Sequence, residues 1–239
     1  MPASIESGVQ TTRSHDTRLR LLTAAAEVLA DEGYAATSLS TVAARIGLTK
    51  GAFAYHFPTK GTISEALRDE FLATVDGIEA RSREVFPDKP AQAFLLYLAG
   101  IGSTLVSDPV FRGASALSFD LSAPRRDAVD MLTRTLWHLE RFIADFDTAG
   151  TARADRTPAD LAEVVLWMLM GQNFTGRRLV RTAANPDLTS RVLLELTHVE
   201  NPDAAIEEVS ALLRSGEMEY RVITFQAGEL APEKPLDAG

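Results

Sequence analysis

Two very short helical segments near the start of the chain, separated by a tight turn, constrain its fold more than any other feature. The turn is Gly47–Lys50, and Ser38 and Thr49 stand where the two segments begin. Serine and threonine cap helix N-termini, and glycine ends helices. Because helices this short are unstable alone, both must pack against a third helix. The arrangement predicts a helix-turn-helix, whose second helix enters the major groove of DNA.

Apolar residues at helical spacing identify the sides of these segments that face inward. A preceding helix, capped by Asp16 or Thr17 and stopped by Gly33, supplies the surface against which they pack. The predicted inner positions are Leu19, Leu22, Ala26 and Leu29 in this helix, Leu39, Val42, Ala43 and Ile46 in the next, and Phe53 and Phe57 in the third. Residues 1–60 are therefore predicted to form a three-helix DNA-binding domain, ordered from about residue 16.

The side of the third helix opposite Phe53 is the candidate DNA-contacting face. At about 100° per residue, Gly51 and Tyr55 point away from Phe53. Lys50 and His56 lie at the margins of this face. Gly51 lets the backbone approach closely, Lys50 can pair with phosphate or guanine, and Tyr55 can reach a phosphate or a thymine methyl. His56 has an alternative role, because a histidine at a helix C-terminus can simply bond backbone carbonyls.

The remaining chain is predicted to be helical as well, so the expected fold class is all-α. Strand signals are scarce, and prolines, glycines and polar stretches separate the helical segments. The predicted ranges are 60–86, 91–106, 108–121, 125–146 and 158–182, followed by helices that begin near Pro186 and Pro202, the last ending near Ser215. Residues 61–222 would form a larger helical domain, and residues 223–239 a flexible tail.

The eighth of these helices is apolar on every side. Leu161, Val164, Val165, Met168 and Leu169 recur on one face, and Leu166, Trp167 and Met170 make the other face apolar too. A helix that is apolar all round is normally buried. We therefore expect this helix to lie in the interior.

Composition and charge narrow the class of protein. The chain has no cysteine, which excludes disulfides and thiolate chemistry and fits a cytoplasmic location. The net charge is −9, but residues 1–60 carry six Lys/Arg against five Asp/Glu, so the acidic surplus lies in the rest of the chain. We expect neither a secretory signal nor a membrane span, since the first residues are polar and no apolar run reaches about 20 residues.

Catalysis and metal binding are not expected either. The chain has no nucleophile elbow, no P-loop and no dinucleotide glycine pattern. Its four histidines lack a second metal ligand at helical spacing, namely His15, His56, His138 and His198. No cofactor is predicted.

The N-terminal motif as a whole resembles the signature of the TetR family of regulators. The resemblance rests on Gly33–Leu39, Val42-Ala43, Gly47–Gly51, Tyr55-His56-Phe57 and Lys60. It implies an all-helical homodimer, typically a repressor that a small ligand releases from palindromic operator DNA. The implied DNA-contacting residues are Thr37 or Ser38, together with Thr49, Lys50, Gly51, Ala52, Tyr55, His56 and Lys60. The chain departs from the family at Ala54, where tyrosine is usual, so its operator need not be a common one.

The resemblance also assigns roles to the larger domain. Residues 61–222 would bind the effector and dimerise, with the eighth and tenth helices forming a four-helix bundle between subunits. The tenth helix offers Ala205, Val209, Leu212 and Leu213 to this interface, and Val165 and Leu212 are its predicted contact points. The candidate effector-binding residues, all apolar or small polar side chains of helices four to eight, are Phe94, Tyr97, Phe119, Trp137, Trp167, Gln172, Phe174 and Thr175.

A shorter resemblance points to the γ-butyrolactone-receptor branch of that family. It is carried by Thr49–Ala52, Trp137 and Asn173–Gly176. Those receptors sense lactone- or furan-type signals in actinomycetes and control antibiotic production. The resemblance therefore implies a small amphipathic effector of butyrolactone, butenolide or furan type. Two alternatives stay open: another hydrophobic ligand, or an orphan regulator that acts without a small ligand.

Overall fold

The computed structural model describes residues 5–146, 157–178, 186–197, 199 and 201–216, without the side chains of 5–16, 172–178 and 186–188. Within these residues the chain forms ten helices and no strand, which confirms the predicted all-α fold. The helices are α1 (Ile5–Ala36), α2 (Leu39–Arg45), α3 (Lys50–His56), α4 (Lys60–Val85), α5 (Pro90–Ser107), α6 (Pro109–Leu117), α7 (Arg125–Phe146), α8 (Pro158–Arg178), α9 (Pro186–Leu196) and α10 (Pro202–Ser215).

The first helix is longer than predicted, because α1 begins at Ile5 and not near Asp16. No proline follows Pro2 in this stretch, and polar residues extend a helix readily once its apolar turns have formed. The helical run breaks where expected, at Gly33, whose φ of 80° lies in the left-handed region that glycine tolerates. A side chain here would also crowd Asp120, whose carboxylate oxygen would lie 3.2 Å from the added Cβ.

The turn between α2 and α3 is fixed by two backbone hydrogen bonds. Gly47, with φ at 69°, donates its N–H to the Ala44 carbonyl at 3.2 Å. The Leu48 N–H donates to the Ala43 carbonyl at 2.9 Å. This pair of bonds defines a Schellman C-cap, which satisfies the last carbonyls of α2. The turn therefore sets the direction in which α3 leaves α2.

A first apolar core joins the three N-terminal helices to the rest of the chain. Phe53 and Phe57 of α3 are fully buried in it, together with Leu22 of α1. Phe111 of α6 and Phe71 of α4 stack in the same core with ring centroids 4.8 Å apart. The domain boundary that we propose at residue 60 is thus bridged by continuous packing rather than by a linker.

The closest approach in this core is between α1 and α6, at Ala26 and Gly113. A Cβ on Gly113 would lie 2.6 Å from the Ala26 carbonyl oxygen and 2.7 Å from the Ala26 Cβ. Side chains do not fit at such distances, so the two helix backbones are in direct contact. Among the helices described, α1 and α6 form the most extensive pair. A displacement of α6 must therefore displace α1 as well.

A second apolar core fills the C-terminal half and is formed mainly by α5, α7, α8 and α10. By length and composition alone, α5 is apolar enough to cross a membrane. Its side chains Phe94, Leu96 and Tyr97 are, however, completely enclosed by neighbouring helices. The apolar character of α5 is thus accounted for by its central position in this core.

Three predictions about burial are wrong for the single chain. The first concerns α8, in which Val165 is buried in the second core, but Val164 is exposed and Trp167 is 71% exposed. The second concerns Leu19 of α1, a predicted inner position that is 44% exposed. The third concerns Ile46, which is also predicted to face inward. It lies just after the end of α2 and is exposed beside Leu48, at a shallow groove against the N-terminal half of α1.

The contact between α1 and α6 yields a prediction about stability. Gly113→Ala should lower the free energy of unfolding by about 1–3 kcal/mol, because the added methyl forces two helix backbones apart. Gly77→Ala, in the interior of α4, is the matched control, since an added Cβ meets nothing within 4 Å there. It should raise stability by up to about 1 kcal/mol through helix propensity. Urea unfolding of both variants checks this, and equal effects would contradict the close approach.

Candidate functional site

One side of α3 is exposed to solvent, and the opposite side is buried in the first core. Phe53 and Phe57 hold the helix in the first core, with their rings 5.7 Å apart, and the Arg18 guanidinium lies 4.9 Å above the Phe57 ring. Tyr55, on the opposite side, is 84% exposed. The three residues at the start of the helix, Lys50, Gly51 and Ala52, are exposed as well. The structure therefore brings the predicted groove-facing residues together on one accessible face.

Two hydroxyl side chains hold the ends of the short helices. Ser38 accepts a hydrogen bond from the Thr41 N–H at 3.1 Å and begins α2. Thr49 accepts from the Ala52 N–H at 3.2 Å and begins α3. Both residues are exposed, and a hydroxyl that accepts through one lone pair still has its own proton to donate, which holds for Ser38 when the neighbouring Thr41 hydroxyl, 2.8 Å away, is the donor between the two. Each can therefore cap its helix and donate to a DNA phosphate in the same complex.

Thr37 is placed differently from the other predicted contacts. Its side chain is only 3% exposed, and its hydroxyl donates to the Gly33 carbonyl at 2.8 Å. The hydroxyl thus satisfies a carbonyl where α1 breaks. This placement is a correction to the sequence analysis, since Thr37 is enclosed within the domain while its neighbour Ser38 is accessible.

Lys60 and His56 lie at the edge of the same surface, and both are half-buried. The Lys60 ammonium donates to the Tyr34 carbonyl at 2.6 Å and sits 4.1 Å above the Tyr34 ring. His56 is in the last turn of α3, in edge contact with Tyr55 at 5.2 Å between ring centroids. Lys60 therefore joins the start of α4 to the end of α1, and its direct contact with DNA stays a prediction.

Asp120, in the segment after α6, completes this junction of helix ends. Its carboxylate accepts from the Tyr34 N–H at 2.6 Å and from the Ser122 N–H at 2.8 Å. Partial desolvation favours the neutral form, but these bonds and the Lys60 charge outweigh it and hold the pKa of Asp120 below its ordinary value. The ends of α1 and α6 and the start of α4 are thus tied together through Tyr34.

A second polar link joins α4 to the start of α7. The buried carboxylate of Asp127 accepts from Arg68 at 2.8 Å and from the Ser64 hydroxyl. The hydrogen bonds that Arg68 donates to Asp69 and Asp127 outweigh its desolvation and raise its pKa, so it stays charged. A buried carboxylate with two donors is a directional contact, which fixes the register between the two helices.

The candidate effector-binding residues do not form one cluster in the single chain. Phe94 and Tyr97 are buried on α5, as expected for an interior site. Trp137 is 45% exposed and lies under the Arg141 guanidinium at 4.5 Å, and Phe119 and Trp167 are exposed too. The structure thus separates these three from an interior pocket and corrects their predicted placement.

The physical reason lies in the helix faces. On α7 the buried face carries Met131, His138 and Phe142, and Trp137 falls outside it. The backbone of residues 172–178 belongs to α8, but their side chains, including those of Gln172, Phe174, Thr175 and the Asn173–Gly176 stretch, are not described.

Sequence reasoning missed a polar pair between α4 and α7, formed by a buried histidine and a partly exposed aspartate. His138, which the spacing analysis treats as isolated, is 1% exposed, and its Nε2 lies 2.7 Å from the Asp76 carboxylate. Its position seven residues after Met131 and four before Phe142 is the signal that places it on the inner face of α7. Within the described part of the chain, no group of three or more metal-ligating side chains comes together.

The helix junction yields a prediction about pH. The pKa of Asp120 is lower in the folded protein than its ordinary value of 3.8. Its contribution to stability is therefore complete above pH 3.8 and is lost as pH falls from there through the lower pKa of the folded protein. Asp120→Asn should cost about 0.5–1.5 kcal/mol at pH 7, as for one partly exposed hydrogen bond. The difference from wild type should shrink between pH 5 and pH 3. Urea unfolding across this range measures it, and a difference independent of pH would contradict the assignment.

Comparison with known proteins gives a family match in the N-terminal part of the chain and weaker similarity over more of its length. Residues 21–67 match the family described as bacterial regulatory proteins, tetR family. The A-factor receptor protein of Streptomyces griseus is 40% identical over 68 residues, which is 28% of this chain and 22% of that protein's own length. The HTH-type transcriptional regulator CymR of Pseudomonas putida is 29% identical over 164 residues, which covers 67% of this chain and 77% of that regulator.

The fold also matches solved structures over most of its length. A crystal structure of a gamma-butyrolactone receptor, an ArpA-like protein, superposes with a TM-score of 0.69 at 18% identity. The match covers 86% of this chain and 99% of that one. Identity at this level shows the shared fold alone, and the match to the family model is confined to residues 21–67.

Proposed function

Since this chain is a transcriptional regulator of the TetR family, we propose that it is a ligand-responsive repressor that binds a palindromic operator as a homodimer. In this proposal α3 enters the major groove of DNA. A small amphipathic molecule bound in the helical body (residues 61–222) weakens the complex with the operator. The work of such a protein is done on DNA in the cytoplasm. No catalytic step is part of the proposal, and the relatives are regulators, not enzymes.

The accessible face of α3 is the observation that carries this function. Tyr55 is a large side chain left 84% exposed on a helix whose opposite side is fully buried. Lys50 adds a cation at the start of the helix, and Gly51 leaves the backbone bare there. A tyrosine and a lysine beside a bare backbone suit contacts to phosphates and base edges, whereas an apolar partner would leave them unsatisfied.

Exposed apolar side chains on α8 support the homodimer. Val164 and Trp167 lie one helical turn apart and both face outward, with Trp167 71% exposed. Large exposed aromatic residues mark protein interfaces. In the proposed dimer, α8 and α10 of one copy pack against the same helices of the second copy. Two linked copies of α3 can then reach two operator half-sites about 34 Å apart. Val165, which the sequence predicts as a contact point, is buried in the core of the single chain, so it is not part of the proposed interface.

The helix junction supplies a route from the body to α3. Gly113 of α6 touches Ala26 of α1, and Asp120 and Lys60 hold Tyr34 from both sides. An effector that favours a different position of α6 or α4 would therefore shift α1 and with it α2 and α3. A coupling of about 1–3 kcal/mol is enough to change operator affinity 5- to 150-fold.

The effector class rests on similarity to named receptors. The relative from Streptomyces griseus is named for A-factor, and the superposed crystal structure is a gamma-butyrolactone receptor. We propose a small amphipathic signal of butyrolactone, butenolide or furan type for this chain. The apolar core around Phe94 and Tyr97 suits the chain of such a molecule, and the polar groups of α4 and α7 suit its head.

The first test of this function is operator binding. DNA bound by the protein is recovered from genomic fragments and used in gel-shift titrations. Lys50→Ala and Tyr55→Ala should each weaken binding by about 1–3 kcal/mol, with unchanged thermal unfolding, since neither side chain is buried. Arg126→Ala, which removes an exposed arginine from α7, is the matched control and should leave affinity unchanged. Unaltered binding in both α3 variants would contradict the proposed face.

The second test is assembly. Trp167→Glu and Val164→Glu should turn a dimer into monomers, because each places a charge in an apolar contact, and operator affinity should fall when the half-sites are no longer linked. Val129→Glu on α7 places the same charge on another exposed valine and should leave the dimer intact. Light scattering at micromolar concentration distinguishes these outcomes, and a monomeric wild type would rule out the homodimer.

A further inference from the structure

Two buried polar atoms of the second core have no hydrogen-bond partner among the residues that the structure describes. They are Tyr97 Oη on α5 and His138 Nδ1 on α7. Both side chains are completely enclosed, and their ring centroids lie 5.8 Å apart. Native proteins rarely bury a donor or acceptor unpaired, and a neighbouring pair of such atoms on two helices points to a shared partner.

The hydrogen bond at the other ring nitrogen decides what His138 presents. Nε2 lies 2.7 Å from the Asp76 carboxylate, which also accepts from Arg134 at 3.1 Å. A carboxylate that binds an arginine is an acceptor, so Nε2 carries the proton. Burial lowers the pKa of His138 despite the bond to Asp76. The ring is therefore neutral at pH 7, and Nδ1 offers a bare lone pair.

The third unpartnered atom of this kind, Arg83 Nη2, belongs to a group that already has partners. The Arg83 guanidinium binds Glu79 and Asp145 and lies 4.3 Å above the Phe142 ring. Its charge is thus balanced within the protein. Tyr97 has no such partner, since its hydroxyl is surrounded by the second core.

Apart from the charges of Asp76, Glu79 and Arg134, which lie near the pair, the surroundings of Tyr97 and His138 are apolar and adaptable. The Tyr97 ring packs 5.2 Å from the Phe142 ring, which lies 5.9 Å from Phe94. Met168 of α8 packs against the same core. Methionine repacks easily around a guest, and a few polar atoms in an apolar setting are typical of sites for small molecules.

We propose that Tyr97 and His138 form the polar end of the effector site and that this end binds a hydroxyl group. The ligand oxygen accepts from the Tyr97 O–H, and the ligand hydrogen donates to His138 Nδ1, so that both unpartnered atoms are satisfied together. An ether, ester or ketone oxygen accepts from Tyr97 but leaves Nδ1 unpaired. The inference rests on the proposed function in one respect, namely that the helical body holds an effector.

The experiment uses the full chain with ¹⁵N-labelled histidine and two isomeric probes, 1-hexanol and 1-methoxypentane. His138→Gln assigns the His138 resonances. We expect 1-hexanol to move the Nδ1 resonance towards the hydrogen-bonded range and the ether to leave it in place. Tyr97→Phe should weaken the response to 1-hexanol about 2- to 10-fold, as the loss of one hydrogen bond does. Thr133→Val, which removes an exposed hydroxyl from α7, should respond as wild type.

Three results would overturn the inference. One is an Nδ1 resonance that does not respond to 1-hexanol, and another is an equal response to both isomers. The third is a shift of Nδ1 in Tyr97→Phe without any probe, since it would show that Tyr97 already donates directly to His138. If Tyr97→Phe does not fold, the comparison of isomers on wild type decides alone.

The nuclear magnetic resonance readout needs no DNA, so it separates this inference from the proposed function. A protein that binds 1-hexanol at His138 but binds no genomic fragment would refute the repressor and keep the hydroxyl site. A protein that binds its operator but shows no response at Nδ1 would refute the hydroxyl site and leave the proposed DNA-binding function standing.

Discussion

The direct contact of α1 with α6 is the constraint on which the rest of this structure depends. At Ala26 and Gly113 the two helix backbones touch, with no room for even one methyl group. The DNA-binding domain is therefore seated on the body through a rigid crossing, and the first core runs through both. Because close-packed helices shift as bodies and do not deform smoothly, a change in the position of α6 moves α1 with it.

The short helices and the turn of the N-terminal domain could be predicted from sequence, because local chemistry determines them. Gly47 ends α2, Ser38 and Thr49 cap the short helices, and Phe53 and Phe57 identify the buried side of α3. Each of these signals acts within a few residues of the chain. The misplacement of Thr37 has a tertiary cause, since its hydroxyl is taken by Gly33 at a helix break that the sequence pattern marks without showing its geometry.

The body could be predicted as a set of helices but not as a site. The size of a tryptophan side chain favours Trp137 as a pocket residue. The helices packed against α7, however, determine which face of α7 is buried. They bury His138 and leave Trp137 to stack with Arg134 and Arg141 at the surface. The partner of His138 is Asp76, 62 residues away on another helix, and no spacing rule connects residues at that separation. Trp167 is exposed although α8 is apolar all round, because the sequence pattern does not distinguish an apolar face packed in the core from one left at the surface.

The two polar links between α4 and α7 connect the proposed hydroxyl site with the DNA-binding domain. Asp127 is held by Ser64 and Arg68 at one end, and His138 is held by Asp76 at the other. The same pair of helices is thus pinned near the Lys60–Tyr34 junction and again beside Tyr97. A ligand at His138 would therefore act on a helix whose first turn is held to α4 by the buried carboxylate of Asp127. The buried polar groups of this core therefore join the position of a ligand to the position of α4, at whose start Lys60 holds the end of α1.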